Sequence, residues 1–203
     1  MSQRMSAGGR REQILRGAMG LFAQKGFRGT TTREIARRLK ISEALMFKYF
    51  PSKRALFSAI IQMRMDGSEE MLFPPEAVQA KDDRQVFRSI ASFLVQRNTK
   101  DPTFLRLILY SALEDHDLSR SFFENHAREK MGLLAAYIRQ RIKEKVFREV
   151  PPLLAARAFI GMIIHFVEGR EIFGFRDASS PVRSAEVLVD IFLQGLKGNA
   201  REK

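Results

Sequence analysis

The segment spanning residues 30–53, TTTREIARRLKISEALMFKYFPSK, constrains the fold of this chain more than any other part of it. Thr31 with Glu34 three positions later forms a capping-box pattern, which places the start of a short helix next to Thr31. Ser42 is a second candidate N-cap, and Phe50-Pro51-Ser52 ends the helix that follows it. Two short helices separated by a tight turn are typical of a helix-turn-helix, which places one helix in a DNA groove. The segment therefore predicts a nucleic-acid-binding protein.

Positive charge is concentrated in the first third of the chain. Residues 1–64 hold 14 Lys and Arg against 3 Asp and Glu, whereas residues 65–203 hold 21 against 20. A compact basic module attracts phosphate whatever the base sequence, and its binding weakens as salt rises. A basic surface that serves only solubility is the alternative, but it would not be segregated so sharply. The charge pattern indicates one polyanion-binding module followed by a nearly neutral one.

Several classes of protein are excluded by the composition. The 203 residues include no cysteine, which excludes disulfides, thiolate metal sites and a cysteine nucleophile. Residues 1–11 contain no apolar stretch of the kind that a secretory signal needs. Apolar stretches such as residues 158–167 are too short and interrupted to span a bilayer. We therefore expect a cytoplasmic protein without a membrane partner.

Helical periodicity recurs along the whole chain, and no alternating strand pattern extends beyond a few residues. We expect an all-α protein of about nine helices, with a three-helix helix-turn-helix head followed by a larger helical domain. The longest of these helices is predicted from Ser119 to about Phe147. The predicted divisions are a flexible basic arm over residues 1–9, a DNA-binding domain over 10–65 and a helical domain over 66–203.

A series of residues in the first part of the chain has a specific order and spacing. It comprises Ile14, Ala18, Leu21-Phe22 and Gly26-Phe27, then Thr31-Thr32-Arg33-Glu34-Ile35-Ala36 and Ile41-Ser42, then Phe47-Lys48-Tyr49-Phe50-Pro51-Ser52-Lys53-Arg54-Ala55-Leu56. Together these residues resemble the TetR/AcrR family of transcriptional regulators over residues 10 to about 60. The resemblance implies a ligand-responsive DNA-binding regulator, more often a repressor, whose domain over residues 66–203 binds the ligand and forms the dimer.

Three departures from the family pattern fall in or beside the second helix of the motif. Lys40 stands in the turn where Gly is frequent, so a non-Gly residue is expected in a left-handed conformation there. Ala44 and Leu45 stand where Gly and a small hydroxyl residue are frequent, and Phe47 replaces a frequent Tyr. These departures leave the helices and the turn of the motif unchanged. They alter the side chains that are available to contact bases and phosphates, so those contacts are expected to differ from the usual ones of the family.

The residues expected to contact DNA lie at the starts of the two short helices and beside the second. On a helix beginning at Ser42, Met46 and Phe50 face the core, and residues 43, 44, 47 and 48 can face outward together. Glu43 either accepts a hydrogen bond from a cytosine amino group or interacts favourably with the helix N-terminus. The predicted contacts are Thr31, Thr32, Arg33, Ser42, Glu43, Ala44, Leu45, Phe47, Lys48, Tyr49 and Lys53.

Short recognition helices specify few bases, so useful specificity needs two half-sites and therefore a homodimer on a palindromic operator. Small residues in the last two helices permit close helix approach, and by resemblance this family dimerises there as a four-helix bundle. A purely intramolecular core is the alternative use of the same residues. The predicted interface comprises Ala155, Phe159, Ile163, Phe166, Val187, Leu188, Ile191 and Phe192.

The resemblance also implies a small-molecule pocket among the middle helices, coupled to the spacing of the two DNA-binding heads. A lining rich in Met and Phe favours an apolar or amphipathic ligand, although aromatic residues at helical spacing are more often core. The candidate lining residues are Met63, Phe87, Phe93, Phe104, Leu107, Tyr110, Phe123, Tyr137, Phe159 and His165.

We expect neither an enzyme nor a bound metal or cofactor. His116 lies among acidic residues that are typical of a solvated turn, and His165 with Glu168 lacks the second motif that a di-iron bundle needs. The rival hypothesis is a non-specific nucleic-acid-binding or nucleoid-associated protein, which needs neither pocket nor palindrome. A discrete two-fold-symmetric footprint distinguishes the regulator from this rival.

Overall fold

The computed structural model describes residues 6–65, 73–114, 127–176 and 178–197, with residues 117, 120 and 124 as single positions. The all-α prediction is confirmed: within these residues the chain forms helices, and its only β-type pairing is an isolated bridge between Phe147 and Lys197. The helices are α1 Ala7–Lys25, α2 Thr32–Arg38, α3 Glu43–Tyr49, α4 Lys53–Met65, α5 Pro75–Gln79, α6 Asp83–Lys100, α7 Thr103–Glu114, α8 Arg128–Lys143, α9 Pro152–Glu171 and α10 Pro181–Leu196.

Side-chain caps begin several helices, among them the two that the sequence predicts to start at Thr31 and Ser42. The hydroxyl of Thr31 accepts from the backbone N–H of Glu34 at 3.1 Å, and that of Ser42 accepts from Leu45 N–H at 3.1 Å. Ser52 caps α4 and Ser180 caps α10 in the same way. Each hydroxyl satisfies one of the backbone donors that a helix N-terminus leaves without an intrahelical acceptor.

Two helix boundaries differ from the predicted ones. α1 begins at Ala7, capped by Ser6, so residues 7–9 are helical rather than part of the predicted arm. The described part of the predicted long helix, α8, ends at Lys143 instead of near residue 147, because Lys145 adopts a left-handed conformation with φ 62°. A residue with positive φ cannot continue a right-handed helix.

The chain divides into two compact units, of which the first contains α1–α4 together with α7. α7 lies in the segment that the sequence analysis placed in the C-terminal domain, yet it packs with the N-terminal helices. The reason is hydrophobic burial: Phe104 and Leu107 of α7 belong to the same buried cluster as Phe22 of α1 and Phe57 of α4. This unit therefore provides the helix-turn-helix with a core beyond its own three helices.

The second unit contains α5, α6, α8, α9 and α10. Phe87 of α6 is fully buried at the centre of an aromatic cluster, with its ring 4.9 Å from that of Phe159 and 5.3 Å from that of Phe192. Among the described residues, α9 alone is long and apolar enough to cross a membrane by length and composition. Part of the apolar surface of α9 is buried by packing within this unit, because Phe159 and Ile163 are fully buried.

Candidate DNA-reading surface

The turn between α2 and α3 is a Schellman motif, with Lys40 where glycine is usual. The Ile41 N–H donates to the carbonyl of Ala36 at 3.0 Å, and the Lys40 N–H donates to that of Arg37 at 3.1 Å. Lys40 has φ 55°, which confirms the left-handed conformation predicted for it. The two backbone bonds hold α3 at a fixed angle to α2 despite the absence of glycine.

The orientation predicted for α3 is confirmed for its buried and exposed faces. Met46 and Phe50 are buried in the core of the first unit. Ala44 and Lys48 are exposed, and the ring of Phe47 is 42% exposed although it is large and apolar. α3 therefore presents Ala44, Phe47 and Lys48 together to the outside, since positions 44, 47 and 48 share one face of a helix.

Two of the predicted DNA-contacting residues bind each other. The hydroxyl of Thr32 donates to the Glu43 carboxylate at 2.7 Å, which joins the first turn of α2 to the first turn of α3. Thr31 and Ser42 both act as N-caps, while Arg33 remains exposed and Leu45 and Tyr49 are half-buried. The Glu43 carboxylate is thus engaged by a neighbouring side chain of the protein itself.

Lys53, one of the residues predicted to contact DNA, is half-buried and binds the backbone of the loop between α1 and α2. Its ammonium donates to the backbone carbonyls of Phe27 at 2.8 Å and Thr30 at 2.9 Å, and it lies 4.3 Å from the centroid of the Phe27 ring. Burial lowers the pKa of Lys53 below its usual value, and the charge of Glu114 opposes that shift. Lys53 therefore fixes the loop between α1 and α2, and a phosphate contact would compete with these bonds.

Glu114, the last residue of α7, is a contributor to this loop that sequence reasoning missed. Its Oε2 accepts from the backbone N–H of Arg28 at 3.0 Å. Gly26 lies beside it with φ 74°, and a Cβ added there would be 2.0 Å from Oε1 of Glu114. The sequence predicted Gly26 only as a helix stop, and nothing local to residue 114 indicates that its carboxylate fills the space a side chain would need.

A cation also supports the end of the recognition helix from α1. The guanidinium of Arg11 lies 5.3 Å from the ring centroid of Phe50, the residue that follows α3. On the side of α2, the carboxylate of Glu34 pairs with Lys25 and its pKa is lowered, chiefly by that hydrogen bond. Contacts from α1 thus reach both helices of the motif, which keeps α2 and α3 in place relative to the core.

The predicted pocket residues are divided between the two units. Met63, Phe104 and Leu107 belong to the hydrophobic core of the first unit, where Tyr110 is exposed. Phe87, Tyr137 and Phe159 come together in the second unit, where Phe147 and Phe192 join them. Phe93 is also in this unit and is half-buried, and Phe123 lies outside the described residues.

His165, one of the candidate pocket residues, is not buried in the interior of the second unit. Its side chain is 82% exposed and lies on the outward face of α9, 3.8 Å from the carboxylate of Glu168. Among the described residues, no group of three or more His, Asp or Glu side chains is arranged to hold a metal ion. His165 is therefore a surface residue of this unit rather than a lining residue of its core.

The predicted dimer residues also divide into two sets. Ala155, Phe159 and Ile163 are buried within the chain, so they contribute no area to an interface, because their positions on α9 point to the inside of the unit. Phe166, Leu188 and Phe192 are half-buried, whereas Val187 and Ile191 of α10 are exposed. We name as the α9–α10 apolar face the exposed residues at helical spacing on these helices, namely Leu154, Ala158, Gly161, Val187 and Ile191.

Comparison with known proteins covers both units. The family model described as "Bacterial regulatory proteins, tetR family" matches residues 14–60. A second model, "AefR-like transcriptional repressor, C-terminal domain", matches residues 84–195, which is more than half of the chain. Among curated proteins, the nucleoid occlusion factor SlmA of Glaesserella parasuis serovar 5 (strain SH0165) is 27% identical over 178 residues, covering 82% of this chain and 84% of SlmA.

Two solved structures illustrate the fold similarity. The flavonoid-responsive regulator FrrA has a TM-score of 0.68 and 25% identity, covering 96% of this chain and 100% of that one. AibR in complex with isovaleryl coenzyme A and operator DNA has a TM-score of 0.68 and 21% identity, covering 93% of this chain and 98% of that one. The helix order around the DNA-reading surface is therefore a known architecture.

Proposed function

This chain belongs to the TetR family of bacterial regulatory proteins, and from that premise we propose that it is a repressor that binds a palindromic operator as a homodimer and releases it on binding a small ligand. The observation that carries the proposal is the exposed face of α3, held on a rigid core in the most basic part of the chain. A protein that binds operator DNA acts in the cytoplasm, where the chromosome is.

Electrostatics supports DNA as the target of this surface. Residues 1–64 have a net charge of +11, and Arg33 and Lys48 are exposed on α2 and α3. Exposed cations supply the sequence-independent attraction to phosphate, while side chains that reach base edges supply specificity. Lys48 has the reach for a guanine edge or for a phosphate.

Replacing Lys48 tests the reading role directly. We expect Lys48→Ala to weaken operator binding by about 1–3 kcal/mol if its ammonium contacts a base, because that contact is lost only on the cognate sequence. Fluorescence anisotropy on the operator and on a scrambled duplex of equal length measures the effect. Equal losses on the two duplexes would assign Lys48 to phosphate instead.

The α9–α10 apolar face supports the homodimer. Val187 and Ile191, one turn apart on α10, are 46% and 56% exposed, and Leu154 of α9 is 60% exposed. Exposed apolar side chains that share one face of a helix are typical of an interface. Two copies are also needed to read both halves of a palindrome. Analytical ultracentrifugation at micromolar concentration is expected to give a dimer.

An interface variant makes that experiment specific. Ile191→Asp is expected to shift the protein towards monomer, since it places an unpaired charge in the buried interface. Val146→Asp, which changes an exposed valine outside the α9–α10 apolar face, is the matched control and should leave the dimer intact. A monomeric wild-type protein would contradict the proposal.

For the ligand we propose an apolar or amphipathic molecule bound by the C-terminal helices. The second unit is rich in aromatic side chains, and Tyr137 adds a polar group whose hydroxyl donates to Asp83 at 2.7 Å. Solved regulators of similar fold are named for a flavonoid response or contain an acyl-coenzyme A. Titrating the protein–operator complex with flavonoids and short-chain acyl-coenzyme A thioesters tests whether such a ligand releases DNA.

A nucleoid-associated role is the second candidate, favoured by the similarity to SlmA over most of the chain. The two functions predict different occupancy of the chromosome. DNase I footprinting and genome-wide occupancy should give a few discrete, two-fold-symmetric sites for the proposed repressor. Sites distributed along the chromosome, unaffected by any ligand of the panel, would favour the nucleoid-associated role.

A further inference from the structure

The outward face of the recognition helix has few groups that can form hydrogen bonds to bases. Between residues 43 and 49 the polar side chains are those of Glu43, Lys48 and Tyr49. The Glu43 carboxylate is engaged by Thr32 at 2.7 Å, and Tyr49 is half-buried against the core cluster. Lys48 is therefore the one fully exposed hydrogen-bonding side chain of α3.

Phe47 and Ala44 form the rest of that exposed face, and both are apolar. The ring of Phe47 is 42% exposed, although Met46 and Phe50 beside it are almost completely buried. A large ring left in water on a helix that enters a polar groove needs an apolar partner in the complex. It cannot accept or donate a hydrogen bond to phosphate or to a base edge.

The major groove offers one apolar group to such a ring. Among the four bases, only thymine presents a methyl group, at C5, and apolar side chains recognise it by contact. The net charge of +11 over residues 1–64 brings the head to DNA, and α3 is the helix that a helix-turn-helix places in the major groove. A thymine-bearing base step is thus the apolar partner that the major groove can offer to the face formed by Phe47 and Ala44.

We propose that Phe47 is a specificity-determining residue that reads the C5-methyl group of a thymine in each operator half-site. This inference rests on the proposed function, since it requires an operator bound through α3. It adds that a large part of base recognition at this surface is apolar contact, with Lys48 supplying the exposed hydrogen-bond donor. The operator half-site must then contain a thymine at the position that faces Phe47.

Deoxyuridine substitution isolates the methyl group from every other feature of thymine. The operator is first obtained by selection of the wild-type dimer on a random duplex pool, and each thymine of the half-site is then replaced by deoxyuridine. Deoxyuridine keeps the O4 acceptor and the base pairing and lacks only the C5-methyl group. We expect one position per half-site at which affinity falls about fourfold, or about 15-fold when both half-sites are changed, as for about 0.8 kcal/mol per buried methyl.

Variants of Phe47 assign that loss to the ring. Phe47→Ala should bind the thymine operator more weakly and show less than about a twofold further loss on deoxyuridine, because the contact is already absent. Phe47→Tyr keeps the ring and should keep the sensitivity, whereas Lys48→Ala should bind more weakly yet keep the full deoxyuridine loss. Since Phe47 is 42% exposed and does not belong to the buried core, circular dichroism melting should show that these variants remain folded at the temperature of the binding assays.

The outcomes separate this inference from the function on which it depends. A symmetric selected operator that binds equally with thymine or deoxyuridine would overturn the methyl contact and leave the proposed function standing. Equal deoxyuridine losses in the wild type and in Phe47→Ala would assign the methyl to another residue, which also overturns the proposal. Failure of the selection to yield any two-fold-symmetric sequence would contradict the proposed function itself, and the proposal with it.

Discussion

The two compact units of this protein differ in how many of their charged groups are paired. In the first unit Arg33 and Lys48 stay exposed around the reading surface, and Lys53 is turned inward onto backbone carbonyls. In the second unit acids and bases pair with each other, as in the contacts of Arg141 with Asp83 and of Arg84 with Asp190. Unpaired cations attract a polyanion, whereas paired charges hold helices to one another. The exposed cations of the first unit are therefore suited to binding DNA, and the ion pairs of the second unit stabilise its fold.

The largest expected effect is the removal of a paired charge from the second unit. Arg141 is buried, and its Nε and Nη2 donate to the two oxygens of Asp83 at 2.8 and 3.0 Å. Arg141→Ala should lower the free energy of unfolding by about 3 kcal/mol, because it leaves the half-buried Asp83 carboxylate without its cation. Urea denaturation followed by circular dichroism measures the change.

A control on the same helix shows whether the loss of any positive charge, paired or exposed, lowers the free energy of unfolding. Arg139 is exposed on α8, and Arg139→Ala should change the free energy of unfolding by less than about 0.5 kcal/mol. Operator affinity of the folded Arg141→Ala protein should stay close to that of the wild type if the pairing only holds the unit together. Equal destabilisation by the two substitutions would contradict the distinction between paired and exposed cations.

Gly26 provides the corresponding experiment in the first unit. Gly26→Ala should destabilise the protein by about 2 kcal/mol, because φ 74° is unfavourable for alanine and the added Cβ would overlap the Glu114 carboxylate. Combining it with Glu114→Ala should recover the part due to overlap but not the part due to φ. Thermal and urea unfolding of the single and double variants form a double-mutant cycle.

Gly20 is the matched glycine for that experiment. It lies inside α1, and a Cβ added there meets nothing within 4 Å. Gly20→Ala should therefore stabilise the protein by about 0.5–1 kcal/mol, since alanine is the better helix former. Equal changes in the free energy of unfolding at Gly20 and Gly26 would mean that neither the positive φ of Gly26 nor its contact with Glu114 affects stability.

A smaller effect tests a feature that the two units share. Lys40 in the first unit and Lys145 in the second each end a helix with positive φ, at 55° and 62°. Replacing either by glycine should raise the free energy of unfolding by up to about 1 kcal/mol, because glycine adopts this conformation without steric cost. Lys40→Gly should also weaken operator binding at low salt, whereas Lys145→Gly should not, if DNA binds only the first unit.

The smallest effect is expected from the exposed part of the charge network in the second unit. The pKa of Glu144 is lowered to about 2, first by its hydrogen bond from Lys81 and then by those from Gln140 and Arg141. A carboxyl group with a depressed folded-state pKa stabilises the protein above its unfolded pKa near 4.5, and this contribution is lost as the pH falls towards 2. Glu144→Gln should flatten the pH dependence of unfolding across that window without changing it near pH 7.

Much of the first unit follows from local sequence. Thr31, Ser42 and Ser52 cap helices because a hydroxyl at those positions has a free backbone donor within reach, which depends on only a few neighbouring residues. The inward positions of Met46 and Phe50 follow from helical spacing alone. The amino-acid sequence is therefore sufficient to predict both the capping of these helices and the direction in which α3 faces.

The second unit shows where such reasoning fails. Periodicity identifies Phe159, Ile163 and Val187 as apolar helix residues but cannot assign them to a core, a pocket or an interface. The structure buries Phe159 and Ile163 within the chain and exposes Val187, since the packing of α6, α9 and α10 decides which face is covered. His165, a candidate pocket residue, is exposed for the same reason, because its apolar neighbours in sequence do not surround it in space.

By itself, the sequence determined that this protein is helical, that its first third is basic and that residues 30–53 form a helix-turn-helix, because capping, periodicity and charge are local properties. Only the tertiary structure decided that α7 joins the first unit, that Glu114 occupies the space beside Gly26 and that Lys53 is turned inward. These contacts join residues as many as 86 positions apart. Their energies depend on which surfaces meet, and that information becomes available only when the chain has folded.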